Sequence, residues 1–140
     1  MRGFTLLELM VVVAIIALGT AGVALVLRDG TQSRLDQEGQ RLAAQLEAAR
    51  AQSRASGRPV RWVPLDGGFR FSGLSEGAAV RAWLFPETRV RLSAGSTGLV
   101  LGPEPLIGPQ AVELLAENRR VRVATDGVRP FGVLDGAAAP

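Results

Sequence analysis

The sequence predicts an α+β fold in which one long N-terminal α-helix leads into two small antiparallel sheets. Three observations predict it. From Phe4 to Leu27 the only ionisable side chain is Glu8, so the chain opens with an apolar run of membrane length. Thr31 to Ser56 is polar and proline-free, with Leu35, Leu42, Leu46 and Ala49 on one helical face. Beyond Pro59 short β-type segments alternate with Gly and Pro.

As a helix, Phe4 to Leu27 reaches about 36 Å, enough for a hydrocarbon core of about 30 Å. Its 15 Phe, Leu, Met, Val and Ile residues favour insertion by roughly 0.3–0.6 kcal/mol each, against about 2.5–3.5 for a central carboxylate. Insertion wins despite Glu8. A cleaved secretory signal has a shorter apolar region, and only Gly22-Val23-Ala24 offers a weak cleavage match. An ordinary signal anchor fits the length and Arg2 but gives Glu8 no purpose.

Arg28, Asp29 and Gly30 mark the expected membrane exit, and an amphipathic helix follows over 31–56. Gly39 reads as a weak point within it, and Gly57 with Pro59 ends it. The series Arg50, Arg54, Arg58, Arg61 reads as a solvated helix edge. Val60–Leu65, a turn at Asp66-Gly67-Gly68, and Phe69–Ser72 form an expected hairpin. Further strands are expected at Val80–Phe85, Arg89–Leu92, Leu99–Leu101 and Val112–Ala116. A closing hairpin runs from Arg120 to Thr125, turns at Asp126-Gly127 and returns over Val128–Leu134. Trp62, Trp83, Phe69, Phe71, Phe85 and Phe131 are core candidates. The loop from Gly102 to Gln110 is stiffened by three prolines and reads equally as a rigid connection or a partner-docking edge. Disorder is expected over the tail Ala137–Pro140.

Composition narrows the chemistry. The 140 residues leave room for one domain and contain neither Cys nor His, which removes disulfides, thiolate sites, the usual general base and the commonest metal ligand. Asp and Glu are the remaining acid–base groups and no two have motif spacing, so an enzyme, a catalytic residue, a metal site and a cofactor are not expected. All 16 basic residues are Arg, against 13 acids, for a formal charge of +3. These arginines are spread along the chain and mixed with acids, which argues against nucleic acid as a partner.

Gly3-Phe4-Thr5-Leu6-Leu7-Glu8, followed by the apolar stretch Leu9 to Ala17, resembles the leader junction of type IV pilin-like proteins. The resemblance implies that a prepilin peptidase cuts after Gly3, removes the leader 1–3 and N-methylates Phe4. Glu8 then becomes the fifth residue of the mature chain, where the family's carboxylate pairs with a terminal amine in the growing filament. In low dielectric such a pair attracts strongly and each charge alone is costly, so it sets the axial register of packed helices.

The segment "GPEPLIGPQAVELLAENRRVRVATDGVRPFGVL" also resembles the C-terminal part of H-type minor pseudopilins of type II secretion systems, the GspH/FimT family. That resemblance implies a pilin-like fold: a helix half in the membrane and half packed on a periplasmic β-sandwich. The implied domains are a transmembrane helix over 4–27 and a periplasmic domain over 28–140, with its helix at 31–56 and its β region at 60–134. The implied protein is a single-pass inner-membrane subunit near the tip of a hetero-oligomeric pseudopilus. It would contact other minor and major pseudopilins and, in some cases, secreted proteins. The alternatives are a minor pilin of a type IV pilus or DNA-uptake system, or a membrane-anchored periplasmic binding module.

Overall fold

The computed structural model describes residues 3–74 and 79–135. Helix α1 runs unbroken over Leu6–Ser56, 51 residues, or about 77 Å at 1.5 Å per residue. One bound is corrected here. The helix starts at Leu6 rather than Phe4, because Thr5 takes an extended conformation (φ −83°, ψ 149°) and caps it. As expected of one long helix, it continues through 28–30, since one glycine costs a helix only about 1 kcal/mol and no proline occurs before Pro59. Gly57, at φ 64°, ends it in the left-handed conformation.

The second half of α1 buries the predicted face: Leu35, Leu42, Leu46 and Ala49 are all buried. Gly39 lies on that face and is not a weak point. A Cβ there would sit 2.9 Å from Val121 Cγ1 and 3.2 Å from Val133 Cγ2, so glycine lets helix and sheet approach closely.

Eight strands follow: β1 Arg61–Leu65, β2 Gly68–Ser72, β3 Val80–Ala82, β4 Arg89–Leu92, β5 Leu99–Val100, β6 Gln110–Ala116, β7 Arg119–Thr125 and β8 Gly132–Asp135. They form two antiparallel four-stranded sheets, ordered β3-β2-β1-β5 and β4-β6-β7-β8. This is the predicted α+β class. The expected first hairpin forms, but its turn is Asp66-Gly67 alone, since Gly68 already pairs opposite Leu65 in β2. The expected strand Val80–Phe85 stops at Ala82, because the next segment turns its Leu84 and Phe85 amides onto Glu38 of the helix. The return strand begins at Gly132 rather than Val128. Asp126 Oδ1 accepts from the Val128 and Arg129 amides at 2.9 and 2.7 Å, which commits 126–129 to a turn.

Helix α1 packs on β6, β7 and β8. Thr31 meets Glu117 at the β6–β7 turn (3.4 Å), Gly39 meets Val121, and Arg50 meets Gly127 beyond β7 (2.7 Å). Strand β7 therefore runs along the helix with the β6–β7 turn at the end nearer the apolar segment. Between the sheets Phe69 is the hub of an aromatic core, with ring centroids 5.8 Å from Trp62, 5.8 Å from Phe71 and 4.8 Å from Trp83. Phe131 is buried with them, while Phe85 is half-buried under the Arg34 guanidinium. The Gln110 side-chain amide bonds both the N–H and the C=O of Val100 at 2.7 Å, covering part of the β5 edge. The tail Ala137–Pro140 lies outside the described residues.

Candidate functional site

The three residues singled out at the N-terminus fall within little more than one turn. Gly3 and Phe4 precede the helix, and Phe4 is exposed. Thr5 Oγ1 accepts from the Glu8 amide at 3.3 Å, so Glu8 occupies the first helical turn. There its negative charge faces the positive end of the helix dipole, a second reason for an acid at this position besides the one implied by resemblance. Thr5 was the residue that sequence reasoning missed. Its signal was the Thr-x-x-Glu spacing of a helix start. Glu8 makes no ion pair among the described residues.

From Leu6 to Val23, 18 residues are long and apolar enough to cross a membrane, and none is buried by the rest of the chain. Phe4, Leu7, Met10 and Leu18 are among the exposed large apolar residues. So much apolar surface on one element requires either lipid or neighbouring helices.

What the segment carries is the domain, held by three polar side chains of α1 that reach loops. Buried Glu38 accepts from Leu84 N (2.8 Å), Phe85 N (3.3 Å) and Arg41 Nη1 (3.0 Å). Glu47 accepts from Phe131 N at 2.9 Å and pairs with Arg50 at 3.4 Å. Arg50, 2% exposed, donates to Gly127 O (2.7 Å), Arg129 O (3.3 Å) and Pro105 O (3.5 Å). Its expected place on a solvated edge is thus corrected. Arg50 lies four residues beyond Leu46, on the buried face, where carbonyls accept from Nη1 and Nη2 while Nε has no hydrogen-bond partner among the described residues. Arg54, Arg58 and Arg61 are exposed, as expected. The loop from Gly102 to Gln110 is thereby pinned at Pro105, and Gly127 (φ 94°) lies so close to Ile107 O that no side chain fits there. Just outside this clasp of Glu38, Glu47 and Arg50, the Arg129 and Val128 amides hold the Asp126 carboxyl below the usual carboxylate range.

An exposed apolar helix that continues without a hinge into a domain of two antiparallel sheets defines a type IV pilin-like subunit. Comparison with known families narrows the class. The family model of the prokaryotic N-terminal methylation motif matches residues 1–24, and that of the type II transport protein GspH matches residues 38–127. The second match spans well over half of the chain, which belongs to the GspH family and is a GspH-type pseudopilin. Comparison with curated proteins and with solved structures gives no match.

Proposed function

We propose that the chain is a minor pseudopilin of a type II secretion system, stored in the inner membrane by a single helix over 4–27 with residues 28–140 in the periplasm. It acts as a structural subunit, not an enzyme, near the tip of a short filament that drives folded proteins out of the cell. The observation that carries the reading is the continuous 51-residue helix, with Glu8 in its first turn at one end and a GspH-type domain clasped to the other. In this reading the prepilin peptidase cuts between Gly3 and Phe4 and methylates Phe4. The Glu8 carboxylate then meets a terminal amine of an adjoining pseudopilin, in surroundings that make a lone charge costly.

Mass spectrometry of the mature N-terminus tests the processing. Loss of Met1 to Gly3 and one added methyl group on Phe4 is the expected result, and an intact Met1 or a cut near Ala24 overturns it. Deletion of the gene should abolish exoprotein secretion and leave twitching and transformation intact. The opposite pattern makes the protein a minor pilin of a pilus or DNA-uptake system.

A further inference from the structure

We propose that, before assembly, the β6–β7 end of the domain rests on anionic phospholipid headgroups at the membrane surface, held by Arg34, Arg89, Arg119 and Arg120. This rests on the inner-membrane reading above.

Height along the helix is the first argument. The uncharged run ends at Leu27 and Thr31 lies four residues further, about 6 Å along the axis. The headgroup layer beyond the hydrocarbon is roughly 5–7 Å thick on each side. Thr31 Oγ1 donates to Glu117 Oε2 at 3.4 Å, and Glu117 opens the β6–β7 turn. Because α1 continues through this region as helix, the turn is carried at headgroup level.

Charge is the second. Arg119 and Arg120 follow the turn directly, and Leu115 lies between Arg120 on one side and Arg89 on the other. Arg34 stands one helical turn above Thr31 and is exposed. The acids at this end include Glu117, bonded by Thr31, Glu87, paired with Arg34 at 3.3 Å, and Asp135, which ends β8 opposite Val121. Among the described residues Arg89, Arg119 and Arg120 form no ion pair. Two residues further along the same sheet face, about 7 Å from the turn end, Arg91 and Arg122 flank Glu113, with Arg91 paired to it at 3.8 Å. Arg89, Arg119 and Arg120 thus stand unpaired at headgroup height, and it is this height that favours a lipid surface over an acidic protein face. The guanidinium fork matches a phosphate with two parallel hydrogen bonds. Entry into a filament, which withdraws the helix from lipid, would have to break this contact.

The chain contains no cysteine, so Asn118→Cys places a single nitroxide label on the turn. The full chain is placed in nanodiscs of phosphatidylcholine alone or mixed with phosphatidylglycerol, and collision of the label with a soluble nickel chelate is measured. Phosphatidylglycerol should shield position 118 severalfold, and high salt should reverse the shielding. A label at Val128→Cys, at the far end of the domain, should not respond. Arg89→Gln with Arg120→Gln, both exposed and so no threat to folding, should weaken the contact by about tenfold or more. Equal accessibility at position 118 with and without phosphatidylglycerol overturns the proposal while leaving the membrane reading intact. Failure of the chain to enter either disc overturns both. A label indifferent to lipid yet shielded in isolated filaments puts a neighbouring subunit on this surface and also overturns it.

Discussion

Replacing Arg50 with methionine removes a buried guanidinium and leaves Gly127 O, Arg129 O and Pro105 O without the donor they share, with Glu47 losing its ion-pair partner. Charged hydrogen bonds contribute about 1.5–3 kcal/mol each, but the variant also escapes the cost of burying a cation, so the bonds do not simply sum. Removing one member of a buried pair typically costs about 3–5 kcal/mol, and we take about 4. Over the roughly 105 residues of 31–135, an unfolding entropy of about 2.1 cal/mol/K per residue converts this into a fall of about 18 °C in Tm. Thermal unfolding of the full chain in detergent micelles, followed by the fluorescence of buried Trp62 and Trp83, measures it directly. Arg50→Lys should lose about half as much, since one ammonium cannot reach carbonyls arranged for a planar fork. Glu47→Gln should cost less in the Arg50→Met background than alone, because the two residues act as a unit. An Arg50→Met variant melting within about 2 °C of the parent would refute the clasp.

Gly39→Leu should destabilise the domain by about 3 kcal/mol through overpacking against Val121 and Val133, whereas Gly30→Ala, where nothing lies within 4 Å, should stabilise the helix by up to about 1 kcal/mol; urea midpoints check both. Asp126 is held below its ordinary pKa by the Arg129 and Val128 amides, so the stability it contributes is whole above the ordinary value of about 3.9 and is lost as pH falls through the lower folded value. Acid melts of Asp126→Asn should lack that component. Glu8→Ala should leave membrane insertion and leader removal intact, since an apolar residue inserts more readily than a carboxylate, while filament incorporation fails; cross-linked filament fractions report it.

The legible parts of the fold are those where period alone carries the signal. Leu35, Leu42 and Leu46 recur at helical spacing, and Arg120 to Thr125 alternates, so the buried face of α1 and the identity of β7 follow from the sequence. Illegible were the contacts whose second partner is a distant backbone group. Arg50 bonds a carbonyl 77 residues away and Glu38 an amide 46 residues away, and main-chain atoms leave no mark in the residue pattern. Asp126-Gly127 looks like a tight hairpin turn, but the Asp126 side chain takes two following amides and delays the strand to Gly132. The tight turn between long strands occurs instead at Glu117 and Asn118, where Glu117 adopts φ 52° without a glycine to announce it. Phe4 and Glu8 stand out at once because a charge in an apolar run demands a reason, but the counter-charge proposed for Glu8 belongs to another chain.

Because no hinge separates position 8 from the clasp at Arg50, wherever Glu8 is fixed along a filament the β domain is fixed too. The 42 positions that separate them span about 63 Å of helix. Inserting a single alanine after Gly30 lengthens that distance by only about 1.5 Å but rotates the domain by about 100° relative to Glu8. Membrane insertion, processing and the domain's Tm should be unchanged, since the flanking Gly30 is exposed and the clasp lies beyond the insertion. Incorporation into filaments should nevertheless fall as far as in Glu8→Ala, because neighbour contacts face the wrong way. Seven inserted alanines restore the rotation to within about 20° but raise the domain by about 10 Å. Comparing the two insertions therefore separates orientation from height. If the one-residue insertion assembles normally, the helix must bend or unwind between the two ends, and a pairing at Glu8 could not govern where the domain sits.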